Sequence, residues 1–136
     1  MSTPTTVHDL IIVGSGPAGY TAGIYAGRAG FSPLILAGSI TAGGALMNTL
    51  EVENFPGFPD GILGPDLMAK MQEQAEKFGA DIEFDDAVTL DLDGDVKTIT
   101  TGSEETYQAR TVLLALGSEY RHLGVDGEER LAGRGV

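Results

Sequence analysis

Residues 8–19, HDLIIVGSGPAG, decide the fold. The first six form a short apolar run rich in isoleucine and valine, which suits a strand buried on both faces in a parallel sheet. Gly14 ends the run, and Gly14, Gly16 and Gly19 then fall at the spacing of the dinucleotide fingerprint. Pro17 can occupy the first helical position, where a missing N–H costs nothing, so a helix is predicted over 17–29 with Gly30 closing it in a left-handed conformation. Residues 31–37, FSPLILA, read as a second buried strand, and a right-handed crossover would make the two strands parallel.

The glycines of Gly14-Ser15-Gly16-Pro17-Ala18-Gly19 have separable tasks. Gly14 allows the tight turn, Gly16 lets a pyrophosphate approach the backbone with no Cβ in the way, and Gly19 lets the helix lie close on the strand. The first helical turn then offers unpaired N–H groups and a positive dipole end, an anion site that requires no basic side chain. One feature of the NAD-binding pattern is missing: the second strand ends Leu36-Ala37-Gly38, where an Asp or Glu would hold a ribose hydroxyl.

Downstream, residues 38–64 show no sustained period and many glycines, so they read as a long connection of the kind that is usually functional. Pro65 reopens a helix in which Leu67, Met71, Ala75 and Phe78 share a stripe and Gly79 is the stop signal. Glu73 and Lys77, one turn apart on its other side, are the usual solvated pair, worth about 0.2–0.5 kcal/mol. From Asp81 the pattern alternates: short strands near 82–84, 88–92 and 96–101, with turns at Asp93-Gly94 and near 102–105, suggest antiparallel hairpins. Residues 107–115, YQARTVLLA, end in a nearly continuous apolar run that fits a return to the central parallel sheet. Residues 119–136 are polar and glycine-rich, an exit linker more than a closing element.

Composition bounds the chemistry. The 136 residues suffice for one domain with a real core. Twenty acidic against eight basic residues give a formal charge of −12, which repels nucleic acid and anionic membranes; the charges are scattered, as solubility requires. With no cysteine, these residues hold no disulfide, thiolate nucleophile or thiolate-bound metal, and no catalytic residue or metal ligand is assigned. The polar lead-in over residues 1–8 has no targeting character and no run reaches the ~20 apolar residues of a membrane span, so the expected location is cytoplasmic.

Three further stretches, together with the glycine turn, closely resemble the amino-terminal part of the bacterial low-molecular-weight thioredoxin reductase family. They are Gly43-Gly44-Ala45-Leu46, then Val52-Glu53-Asn54-Phe55-Pro56-Gly57-Phe58, and the ending from Tyr120-Arg121-His122-Leu123-Gly124-Val125 through Gly133-Arg134-Gly135-Val136. The likeness covers nearly the whole chain in order. It implies an α/β, Rossmann-like FAD-binding three-layer fold with a central parallel sheet and an antiparallel β-meander, incomplete here. The FAD/NAD(P)-binding portion would be residues 1–117, and 118–136 a linker to an absent pyridine-nucleotide domain.

The resemblance also implies roles. Gly14 to Gly19 would cradle the FAD pyrophosphate, and Ala37 with Gly38 would lie near the adenosine ribose. Gly43, Gly44 and Leu46 would pass along the pyrophosphate and flavin, Asn54 would hydrogen-bond near the flavin and ribityl region, and the Ala87 backbone would meet the adenine. Ala115-Leu116-Gly117 departs from the frequent Ala-Thr-Gly, so only Gly117 is kept, as a close-approach position. Arg121 and His122 are read as linker surface. The missing remainder would bring a Cys-x-x-Cys pair, an NADPH site and a closing FAD segment. Electrons would then run from NADPH to FAD to the disulfide and on to thioredoxin, in a homodimer. The fragment alone would be inactive, with weak or absent FAD. Two alternatives remain: the FAD domain of a related flavin reductase (an alkyl hydroperoxide reductase flavoprotein or a ferredoxin- or NADP-linked enzyme), or a non-catalytic nucleotide-binding module.

Overall fold

Strand β1 (Val7–Val13), helix α1 (Pro17–Arg28) and strand β2 (Leu34–Leu36) form the expected parallel unit, with Ile11, Ile12 and Val13 beside Leu34, Ile35 and Leu36. A computed structural model describes residues 6–40, 42–119 and 121–133. Residues 1–5 of the lead-in, and Tyr120 and residues 134–136 of the closing marker, lie outside the described residues. β2 is shorter than predicted for two reasons. The Phe31 N–H bonds back to the Ala26 carbonyl at 3.1 Å, so Phe31 belongs to the helix end, and Pro33 has no N–H to give a ladder.

The long connection is less irregular than its composition suggests. It contains a 3₁₀ helix (Gly44–Asn48) and a two-residue antiparallel pair, β3 (Glu51–Val52) with β4 (Ile62–Leu63). Helix α2 (Gly64–Lys77) follows, with Leu67, Met71 and Ala75 buried and Phe78 half-buried just beyond it. Glu73 and Lys77 are exposed and form no ion pair; Gln72 instead donates to Glu76 at 3.0 Å. Small residues let α1 and α2 pack closely: a Cβ added at Gly27 would stand 2.3 Å from the Phe78 carbonyl oxygen.

Strand β5 (Asp81–Glu83) corrects the hairpin reading, because it pairs parallel with β2 at the sheet edge. Strands β6 (Ala87–Asp91), β7 (Lys97–Thr101) and β8 (Thr106–Leu114) make the expected antiparallel meander, and β8 also runs parallel to β1. The order is β5-β2-β1-β8-β7-β6. In a flat sheet the outer strands would be about 24 Å apart, from five spacings of ~4.8 Å. Yet β5 and β6 are joined by residues 84–86 alone, which span at most about 14 Å between Glu83 and Ala87. The sheet therefore folds over on itself.

Two cores result. Ile12 and Ile35 pack with Tyr20, Ile24, Leu67 and Ala75 under the helices, while Ile11, Val13, Leu34 and Leu36 pack with Ile99 and Ala109 of the meander. The arrangement is three layers: helices, parallel sheet, meander. Leu114 departs from the buried-strand expectation, being 48% exposed, and Leu116, just beyond the strand, is 68% exposed. Past Ala109, β8 pairs only with β1 among the described residues, so the strand's other side is open. Residues 121–133 carry the short helix α3 (Glu128–Leu131). The Glu128 carboxylate accepts the Leu123 and Gly124 amides at 2.9 and 2.8 Å, which holds its pKa below the usual value; His122 lies 3.6 Å from it and Arg121 is exposed.

The overfolded sheet is fastened at residues 85–86. Asp85 accepts from the Ser103 hydroxyl and amide in the β7–β8 turn, and the Gly102 amide donates to the Asp86 carbonyl at 2.9 Å. The hydroxyls of Ser103 and Thr101 pull the Asp85 carboxyl from 3.8 down to about 2. A depressed carboxyl stabilises the fold above its unfolded pKa and loses that contribution as acid titrates it through its folded one. Asp85→Asn is expected to be less stable than the wild type at neutral pH, with the gap closing between about pH 3.8 and 2. Urea melts across that range test this; a gap independent of pH would contradict it.

Candidate functional site

A cleft of about 570 Å³ opens where the carboxyl ends of β1, β2 and β8 meet, the position at which open α/β sheets bind ligands. Its walls are Val13 to Pro17, Leu36 to Gly38, Gly44 to Leu46 with Asn48, Asp86 with Ala87, and Ala115 to Ser118. The turn is spliced into the sheet: the Gly14 amide donates to the Leu36 carbonyl at 2.9 Å, and the Ala115 amide to the Val13 carbonyl at 2.8 Å.

The three glycines have different surroundings. Gly14 has φ +108°, and a Cβ there would lie 2.2 Å from the Ala115 carbonyl oxygen. A Cβ on Gly19 would lie 1.9 Å from the Gly14 carbonyl oxygen, so this residue permits the close seating of α1 on β1. Gly16 differs, because no described atom lies within 4 Å of an added Cβ and the residue lines the cleft. The 42–44 backbone approaches from across: a Cβ on Gly44 would stand 3.3 Å from the Gly16 α-carbon.

Ser15 sets this geometry from below. Its buried hydroxyl donates to the Ala37 carbonyl at 2.7 Å and accepts the Gly43 amide at 2.9 Å, tying together the turn, the end of β2 and the next loop. Gly43, Ala18 and Gly19 are not among the lining residues. Of the residues singled out from sequence, Gly14, Ser15, Gly16, Pro17, Ala37, Gly38, Gly44, Leu46, Ala87 and Gly117 line the cleft. Asn54 is exposed and outside the lining. The lining also includes Asn48, Asp86 and Ser118, which the sequence reading did not single out. Asn48 lies on a 3₁₀ helix with no sequence signature, and Asp86 reaches the cleft through the overfolded sheet.

Among the described residues, the cleft lining carries one formal charge, Asp86, and no lysine or arginine. Anion binding must come from the main chain. Tyr20 makes the first helical bond, to the Gly16 carbonyl at 3.1 Å, so the Ala18 and Gly19 amides lack a helical acceptor and Pro17 has no amide to satisfy. The first turn of α1 carries no acidic side chain that would compete for this end of the dipole. Bare backbone at Gly16, a helix N-terminus and room behind it fit a diphosphate bridge.

Relatives share this chain's sequence throughout. It is 59% identical over 136 residues to a thioredoxin reductase of Mycolicibacterium smegmatis, covering 100% of this chain and 43% of that protein. It is 55% identical over 130 residues to a thioredoxin reductase of Streptomyces clavuligerus, covering 96% and 40%. The solved structure of a Lactococcus lactis thioredoxin reductase superposes with a TM-score of 0.81 at 35% identity, covering 93% of this chain and 41% of that one. The chain thus spans about two fifths of the length of the relatives it matches. The profile of the pyridine nucleotide-disulphide oxidoreductases matches residues 8–136, and with the glycine turn, the cleft and these relatives in agreement, the chain belongs to that family.

Proposed function

We propose that this chain is the FAD-holding part of an NADPH-dependent thioredoxin-disulfide reductase. The observation that carries the reading is Gly16, which lines the cleft with no described atom within 4 Å of where a Cβ would stand. When bound, FAD supplies two-electron transfer between a pyridine nucleotide and a disulfide. The chain's own residues bind and orient. The turn and the first amides of α1 hold the diphosphate, Ser15 keeps the three loops in register, and the backbone at Gly44 to Leu46 and at Gly117 closes on the cofactor from the far side. Asn54 is proposed to meet the flavin and ribityl region, and Ala87 the adenine.

The remaining length of the protein would supply the cysteine pair and the NADPH site, with residues 118–136 as the linker to it. It would also cover the open side of β8 at Leu114 and Leu116. Thioredoxin as the acceptor, a homodimeric assembly and a cytoplasmic location belong to the same proposal. No described helix is long and apolar enough to cross a membrane.

A protein of the relatives' full length carrying this segment tests the reading. Purified, it is expected to be yellow with flavin absorbance and to oxidise NADPH only when oxidised thioredoxin is added. A colourless protein, or one that leaves NADPH untouched in the presence of thioredoxin, would overturn it.

A further inference from the structure

Dinucleotide-binding folds place a carboxylate at the end of the second strand to hold a ribose hydroxyl, and here that place is taken by Ala37 and Gly38. The geometry points to Asp86, brought over from the β5–β6 connection, as the acceptor for the unphosphorylated adenosine ribose of the bound dinucleotide; this rests on the FAD reading above.

The overfolded sheet lays residues 83–86 alongside the end of β2. The Ala37 amide donates to the Glu83 carbonyl at 2.8 Å and the Gly38 amide to the Asp85 carbonyl at 3.1 Å. A Cβ added at Gly38 would lie 3.3 Å from Asp86 Oδ1. The carboxylate therefore sits beside the point from which a side chain at the strand end would start. Gly38, at φ +87°, turns the chain in a conformation that an acidic residue rarely adopts, so the fold supplies the charge from elsewhere.

The Asp86 group is held for such a task. Ser39 donates its amide to Oδ1 at 3.2 Å and its hydroxyl to Oδ2, which fixes the carboxylate plane. An ionised carboxylate has about four acceptor positions, so capacity for a ribose hydroxyl remains. Asp86 lines the same cleft as Gly16 and is the only formal charge among its described lining residues. A fixed negative charge there accepts from a free hydroxyl and repels a 2′-phosphate.

The test is an equilibrium titration of the 136-residue chain with ADP, 2′-deoxy-ADP, 3′-deoxy-ADP and 2′-phospho-ADP, with amide spectra recorded alongside. Wild type is expected to bind ADP about ten-fold more tightly than 2′-phospho-ADP and than at least one deoxy analogue, as loss of a charge-assisted bond implies. In Asp86→Ala the deoxy penalty disappears, which a residue serving only to fasten Ser39 would not produce. Should that variant fail to fold, Asp86→Asn keeps an acceptor for Ser39 and is expected to lose discrimination against the 2′-phosphate. Equal penalties in wild type and variants would overturn the role of Asp86 while leaving the FAD reading intact. If ADP binds the wild type, shifting other amides, but leaves those of Gly16, Ala18 and Gly19 unmoved, the FAD reading itself falls and this inference with it.

Discussion

Gly19→Ala is expected to destabilise the fold by about 3 kcal/mol, a large part of the ~5–15 kcal/mol of a small domain. The added methyl would stand 1.9 Å from the Gly14 carbonyl oxygen. That oxygen is backbone, and Gly14 is itself bonded to Leu36 and pressed against Ala115, so it cannot swing aside as a side-chain tip could. Relief requires α1 to lift from β1, which opens the core around Ile12, Tyr20 and Ile24. Urea denaturation of the two proteins checks this, and a difference below about 0.5 kcal/mol would show that the helix is seated differently.

Gly16→Val should do the opposite, sparing the fold and abolishing the ligand. Gly16 has φ −66° and ψ −177°, which any residue adopts, and a Cβ there meets nothing within 4 Å. Gly16 is also the N-cap of α1, where valine is less favourable than glycine, so stability is expected to fall by only about 1 kcal/mol. The valine methyls would project into the space assigned to the diphosphate, so one or two charge-assisted amide bonds at roughly 1.5–3 kcal/mol each are lost. FAD affinity of a full-length protein is expected to fall on the order of 100-fold. Flavin retained per protein after dialysis, measured with thermal melts, separates this from unfolding; full flavin content in the variant would contradict it.

These two glycines also show what can be read from the chain without coordinates. The close seating at Gly19 follows from local stereochemistry at a strand-to-helix turn, and the α2 stripe follows from helical period, so both were legible. The parallel placement of β5 was not, because three residues, Asp81 to Glu83, carry too little pattern to distinguish a hairpin arm from an edge strand. Their partner is decided by amides at the end of β2, far off in sequence. Asp86 was hidden for the same reason: its bond to Ser39 spans 47 positions and exists only because the sheet folds over. The apolar run at the end of β8 announced a central strand correctly through its pairing with β1, while Leu114 remains exposed. Asn54 stood out in a specific sequence marker, yet it lies outside the cleft lining.

The central claim is that main-chain amides of the first glycine turn and of the start of α1 grip a diphosphate. Two-dimensional amide spectra of the 136-residue chain titrated with FAD to millimolar concentration address it directly, since they register even weak binding. The account predicts that the largest shifts fall on Gly16, Ala18 and Gly19 and are lost in Gly16→Val. Shifts concentrated elsewhere, with those three amides unmoved, would contradict it.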